Sequence, residues 1–416
     1  MNEKILAFVW QNRLFDSGSL HTTQGESLSV VRTGYVNTMS GPDISDAQVR
    51  IGDVLWTGNV EFHVKSSHWT DHGHHLDSAY DNIILHVVFD DDKPLVDKYG
   101  NTVPTLEIKF SPLYLDRYHQ LVNQKDQHTC PAGIFQMSSF NSINFTTRLA
   151  VERLEQKASA IRKSLDQNRG DWVETFWQYL SRAFGFGKNA LPFELMAKSL
   201  PFNIIIKNSS SFVSVLSLIA GQAGLLTSGR WKNSDSGRLL QEYRFMQAKY
   251  GIEPIDINAW KFSGMRPQNS PAVRVRQLAS LVSGNVPLFS QILDTRSLEA
   301  LMMLFDIKGN CEIPQLGTDT KYLLIINLVC PFLVCYARYM DDYSYSELAV
   351  DLLEHIPPEK NSLVSARRKA GFSVPSAYYS QALIQLENEY CRYRKCVECQ
   401  VGRYYISSAG KLTDKK

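Results

Sequence analysis

The 416-residue chain has almost no net charge: 44 Lys and Arg against 42 Asp and Glu leave +2 at neutral pH. Nothing in the totals marks the whole molecule for nucleic acid or a charged membrane surface, so any basic groove has to be local. An export signature is missing as well, because the opening MNEKILAFVW places an acid at Glu3 and has no apolar stretch ending in small residues. Long apolar runs are scarce. The strongest, Tyr322 to Ala337, is interrupted by Asn327 and Pro331 and reads as a buried helix, so no membrane partner is expected. Without an export signal, an odd count of seven cysteines points to a reducing cytoplasm and away from a disulfide scaffold. No repeat of 20–50 residues is evident. The phosphate-loop frame is absent too: in FGFGKN, Gly187-Lys188 is followed by Asn189 and no glycine stands five residues earlier.

What is present concentrates between Gly41 and Asp90. Asn59 to Lys65 (NVEFHVK) alternates, with Val60, Phe62 and Val64 on one face of a strand and Glu61, His63 and Lys65 on the other. Such a pattern predicts a half-buried strand whose polar face carries a carboxylate, an imidazole and an ammonium, about 6–7 Å apart in succession. Upstream, Pro42-Asp43 opens a second run through Ala47, Val49 and Ile51, and Gly52-Asp53 turns the chain back. Neighbouring strands then bring Asp43 and Glu61 to one end of a sheet.

Further signals surround these strands. Six of the ten histidines lie between His63 and His86, and His72, His74 and His75 form DHGHH beside Trp69. Their H-x-H-H spacing fits no standard zinc motif. Metal binding, support of a neighbouring site and simple loop capping all remain open for them. Near the end, Cys391, Cys396 and Cys399 make C-x4-C-x2-C. Zinc in a structural site, like an iron–sulfur cluster, takes four ligands, and Cys130 is the best source of the fourth, with buried thiols as the alternative. Cys311, Cys330 and Cys335 read as core or loop residues. Arg266, Arg274 and Arg276 cluster in MRPQNSPAVRVRQ, where they can meet phosphates or acidic helix faces.

The element pattern predicts an α+β domain over residues 1–135, a larger helical domain over 136–376, and a final helix with a cysteine tail over 377–416. Helical periodicity is strongest at Thr147–Arg162 and returns through Tyr378–Tyr390.

Asp43 and Glu61 on adjacent strands resemble the PD-(D/E)xK nuclease core. That resemblance implies a restriction-endonuclease-like mixed sheet, Mg²⁺ or Mn²⁺ on the two carboxylates, and a lysine two residues after the second acid to orient water. Here that position is His63, with Lys65 one step further, so the water-orienting role is open between them. The strings GPDISDA, GNVEFHVKSSHWTDHGHH, YDNIILHVV and MRPQNSPAVRVRQLA are similar to a bacterial family catalogued as domain of unknown function 2851, which brings no activity with it. The expectation is a metal-dependent nuclease-like protein acting on DNA or RNA. The rival expectation is a non-catalytic binding or scaffold protein with a structural metal.

Overall fold

The computed structural model describes the chain except residues 38, 125–129, 131–138, 232–234, 285–286, 308–312 and 409–416, and omits the side chains of 139 and 140. It divides into two compact units, one of residues 1–145, 369–372 and 386–416, the other of 146–368 and 373–385. The cysteine tail therefore belongs with the N-terminal unit. The boundary expected between residues 135 and 136 falls outside the described residues.

The first unit is a mixed sheet covered by helix α1 (Glu3–Gln11), which Asn2 caps by accepting from the Lys4 amide at 2.6 Å. Strands β1 (Leu20–His21), β2 (Ser27–Arg32), β3 (Tyr35–Val36), β4 (Ile44–Ile51) and β5 (Val54–Lys65) pair antiparallel; β6 (Ile83–Asp90) and β7 (Thr105–Glu107) then add in parallel. The sheet order is β1-β2-β4-β5-β6-β7, with β3 also on β4. Ile5, Leu6, Val9 and Trp10 of α1 are wholly buried and share a core with Val60, Phe62, Leu85 and Val87. Burying apolar side chains of this size stabilises by roughly 1.5–3 kcal/mol each relative to leaving them exposed.

β4 is irregular where the site begins. Its pairing with β5 shifts between Ile44 and Ala47, and Asp46 there has φ 53°. Gly34, at φ 78°, passes so close that a Cβ would lie 2.4 Å from the Ser45 carbonyl oxygen and 2.5 Å from Ile44 Cγ2. Only glycine fits against this bulge.

β5 departs from the half-buried reading: Glu61 is 6 % exposed and His63 1 %. The polar face is covered by residues 66–82, which fold into α2 (His68–Asp71) and two single 3-10 turns where the sequence suggested only a polar stretch. Trp69 anchors this cover in a small second core with Leu95 and Val103. Asp92 ties down its start, accepting from the Ser67 amide at 2.9 Å and from the hydroxyls of Ser66 and Ser67. Helix α3 (Pro112–Val122) and the helix Gln400–Ser407, neither evident in the sequence, complete the unit. Ile406 joins the main core, and Arg117 donates to the Tyr405 carbonyl at 2.6 Å.

The second unit is helical. Phe186 and Gly187 link the helices Trp172–Phe184 and Ala190–Ser199, as expected of a connecting loop. The apolar run forms Thr318–Met340, with 67 % of its most apolar window buried. A π-helical segment, Ile325–Val329, interrupts it next to Pro331, which has no amide to continue the regular ladder.

Candidate functional site

Asp43 precedes β4 and faces Glu61 on β5, because Ile44 pairs with Val60. Each carboxylate accepts from the other strand: the Asp43 amide donates to Glu61 Oε2 at 3.0 Å, and the Phe62 amide donates to Asp43 Oδ2 at 3.1 Å. The bulge interrupts the ordinary ladder here, and the side chains replace it. Two acids so placed repel. Burial first, then the Asp43 charge, pushes Glu61 up to about 8, against the Asp43 amide bond. Burial likewise pushes Asp43 up to about 6, against the Phe62 amide bond. Glu3, in the first turn of α1, raises both. Near neutrality the pair therefore retains a proton that a cation would displace.

Sequence reasoning missed Glu3, since an acid in a helix's first turn is ordinarily a partner of the helix dipole. Glu3 and Asp43 line one cavity of about 730 Å³. Its walls also carry Lys4, Lys395 and Arg403. Lys4 pairs with Glu398 at 2.9 Å, and Arg403 donates to Asn12 Oδ1 at 3.2 Å. Glu398 lines the cavity too and also lies 4.0 Å from Lys395, so the cavity carries charge of both signs.

Glu61 joins this cavity region to the imidazoles. Its Oε1 lies 3.4 Å from His74 Nε2. His63 Nε2 lies 3.1 Å from His72 Nδ1, and His63 Nδ1 lies 2.8 Å from His86 Nε2. Ligand atoms of His63, His72 and His74 all fall within 4.8 Å of one another. Burial and then the neighbouring rings hold His63 down at about 2 and His86 at about 3, so both are neutral. Tyr80 stacks on His74 with centroids 4.0 Å apart, and burial, followed by Glu61 and Asp43, pushes its phenol up to about 12. The signal for His86 was one imidazole in the apolar run IILHVV, masked by its reading as a buried strand. His75 keeps its Nδ1 buried without a partner.

Lys65 is placed elsewhere. At the end of β5 its ammonium lies 3.6 Å from Asp90 and 3.7 Å from Asp92, and half its side chain is in solvent. The arginines offered to phosphates divide. Arg274 is buried, stacked over Phe186 and donating to Gln277 Oε1 at 3.0 Å, while Arg276 pairs with Asp235 at 2.9 Å against Trp231. Arg266 alone of the three is exposed. Internal pairing consumes the charge that the sequence offered to a ligand.

Cys396 and Cys130 pack against the main core of the first unit, and Cys399 caps Gln400–Ser407. Burial first and then the Cys391 and Cys130 thiols raise Cys399 to about 12; burial and then Cys399 and Cys391 do the same to Cys396. Cys330 and Cys335 are buried in the second unit, and Cys311 lies outside the described residues.

A family model described as a protein of unknown function (DUF2851) matches residues 3–362, ending before the cysteine tail. No curated protein and no solved structure matches the chain.

Proposed function

Given that the chain belongs to the DUF2851 family of proteins of unknown function, we propose that it is a divalent-metal-dependent hydrolase of nucleic-acid phosphodiesters centred on Asp43 and Glu61. The observation that carries this reading is the carboxylate pair, Glu61 buried and Asp43 half-buried, locked by reciprocal amide bonds beside a cavity that Lys4, Lys395 and Arg403 also line. Asp43 and Glu61 would hold Mg²⁺ or Mn²⁺, hard ions that favour carboxylate oxygen, and Glu3 adds negative charge beside them. Once bound, the metal supplies a water of lowered pKa and stabilises charge on the phosphate. The chain's part is to orient. The two amide bonds fix the carboxylates, and Lys4, Lys395 and Arg403 draw the anion toward them. Neutral His63 and Lys65, which is turned toward Asp90 and Asp92, leave the water-orienting position without a cation.

The test is cleavage of single- and double-stranded DNA and RNA with Mg²⁺ or Mn²⁺. Metal-dependent cutting that disappears in Asp43→Asn and Glu61→Gln supports the reading. Wild-type protein inert on every substrate with either ion leaves the scaffold reading in its place.

The thiols favour a second, structural role beside the first. We propose that Cys130, Cys391, Cys396 and Cys399 hold zinc or an iron–sulfur cluster that fastens the tail to the sheet. Their mutual influence on acidity and the packing of Cys130 and Cys396 on one core support it. Buried thiols lose their protons readily only to such a cation. Analysis of purified protein for zinc, iron and labile sulfide decides between the metals. A full metal content in Cys130→Ser would remove Cys130 from the site.

A further inference from the structure

The imidazoles above Glu61 are too many and too ordered for a loop cap. Two of their contacts have a length that needs explanation. His63 Nε2 to His72 Nδ1 is 3.1 Å, and His74 Nε2 to Glu61 Oε1 is 3.4 Å. Adjacent ligands of a tetrahedral ion bound at about 2.0–2.1 Å stand about 3.3–3.4 Å apart. The His74–Glu61 separation matches such an edge, the His63–His72 one is slightly shorter, and the ligand atoms of His63, His72 and His74 all lie within 4.8 Å of one another.

We infer that His63, His72 and His74 form a second metal site, for zinc or another borderline first-row cation, next to the hard-ion carboxylates. Glu61, with Oε1 3.4 Å from His74 Nε2, borders it, so the inference rests on the placement proposed above for that residue and makes the centre a two-metal one. Neutral imidazoles are the ligand-ready form, and nitrogen donors select zinc, cobalt or nickel over magnesium. The surroundings are of the right kind. Tyr80 lies against the face of His74 at 4.0 Å between centroids and Trp69 meets it edge-on at 5.6 Å, and together they fix its ring.

Behind His63 stands a positioning residue. His86 is fully buried, its Nε2 lies 2.8 Å from His63 Nδ1, and its own Nδ1 has no partner. A metal on His63 Nε2 requires the proton at Nδ1, where His86 Nε2 accepts it. The remaining proton of His86 then sits at the unpartnered Nδ1, a modest cost that the metal–nitrogen bond offsets. His86 thereby fixes which nitrogen of His63 faces the ion.

Cobalt(II) is the probe, added to full-length protein stripped with chelator. One equivalent should give the intense visible bands of a four-coordinate ion. Nitrogen and oxygen ligation at this site adds no sulfur-to-metal charge transfer, whereas cobalt at the cysteines would show it. His72 is exposed, so His72→Ala keeps the fold; it should weaken cobalt binding at least 100-fold, and His74→Ala likewise. His86→Gln should weaken it by roughly 10–100-fold, as loss of an outer partner does, and shift the bands. A cobalt spectrum unchanged in His72→Ala and His74→Ala, or cobalt found at thiols alone, would overturn the inference. Cobalt binding that follows these variants in a protein that cuts nothing sinks the hydrolase reading but not this site. Magnesium-dependent cleavage without a cobalt centre does the reverse.

Discussion

Two places in the first unit hold the proposed ligands, and they are built by different means. The centre on the sheet draws Asp43, Glu61, His63, His72, His74 and His86 from 44 consecutive positions, the approach to β4, the neighbouring strands β5 and β6, and their cover. The thiol cluster reaches from Cys130 to Cys399, and the tail is held by long-range contacts such as Arg117 to Tyr405 and Ile406 in the core. The first depends on local pairing register; the second depends on the chain returning to where it began. Loss of a ligand should therefore silence the first without unfolding it, and should release a segment in the second.

The largest effect should come from the carboxylates. Asp43→Asn and Glu61→Gln keep an oxygen that accepts the opposite amide, so thermal stability should stay within a few degrees. Cleavage should fall on the order of 10³-fold, the scale seen when one electrostatic contact to a transition state is removed. Activity assays on variants matched by circular dichroism measure this. A collapse of the fold would show instead that the pair is a strut.

The tail comes next. Cys399→Ser should lose the bound metal and expose residues 386–408 to protease, since metal binding there is folding free energy. Because Lys395 and Arg403 line the cavity, KM should rise more than kcat falls. Limited proteolysis with mass spectrometry reads the release, and an intact tail in metal-free Cys399→Ser would erase the contrast between the two places.

Acidity separates the two more gently. In chelated protein Asp43 and Glu61 are raised to about 6 and about 8, so they bind protons more tightly folded than unfolded. Their contribution is complete below about pH 4, where both states are protonated, and is lost as pH rises through about 6 and about 8. His63 and His86, lowered to about 2 and about 3, work in the opposite sense: their contribution is present above about 6.5 and lost as pH falls. Stability of the chelated protein should thus change little near pH 5–6 and decline above pH 6.5, by on the order of 5 °C in Tm. Mn²⁺ should flatten the upper limb. A melting curve against pH, with and without the ion, checks both signs.

The smallest effect belongs to Lys65→Ala. Its pairs with Asp90 and Asp92 are half-exposed, and such pairs contribute about 0–1 kcal/mol. Cleavage should change less than about 3-fold, whereas His63→Ala should cost far more through loss of the imidazole chain. Parallel kinetics on the two variants rank them, and a large loss in Lys65→Ala would return it to the reaction.

Much of the sheet centre was legible because β alternation reports faces directly: Glu61 and His63 had to share one, and a strand opening at Asp43 had to run beside them. What covers that face was not legible. Residues 66–82 read as polar, and only Trp69 hinted that they fold over something. Glu3 was hidden by an ordinary role at a helix start. His86 was hidden by the valines and leucines around it. Counting ligands pointed from three late cysteines to Cys130, but composition could not say that α3 and the terminal helix would dock there. The engagement of Arg274 and Arg276 was hidden for the opposite reason. Spacing shows charge, not the Asp235 and Phe186 that already occupy it.

The reciprocal bonds between Asp43 and Glu61 make the protein its own indicator. Each carboxylate accepts from a specific amide proton, those of Asp43 and Phe62. Protonation of an acid, or arrival of a cation, withdraws electron density from the oxygen that the amide leans on. The two amide resonances should therefore move together in a proton–nitrogen spectrum as the site fills or titrates. Occupancy of the centre then becomes visible without any substrate at hand.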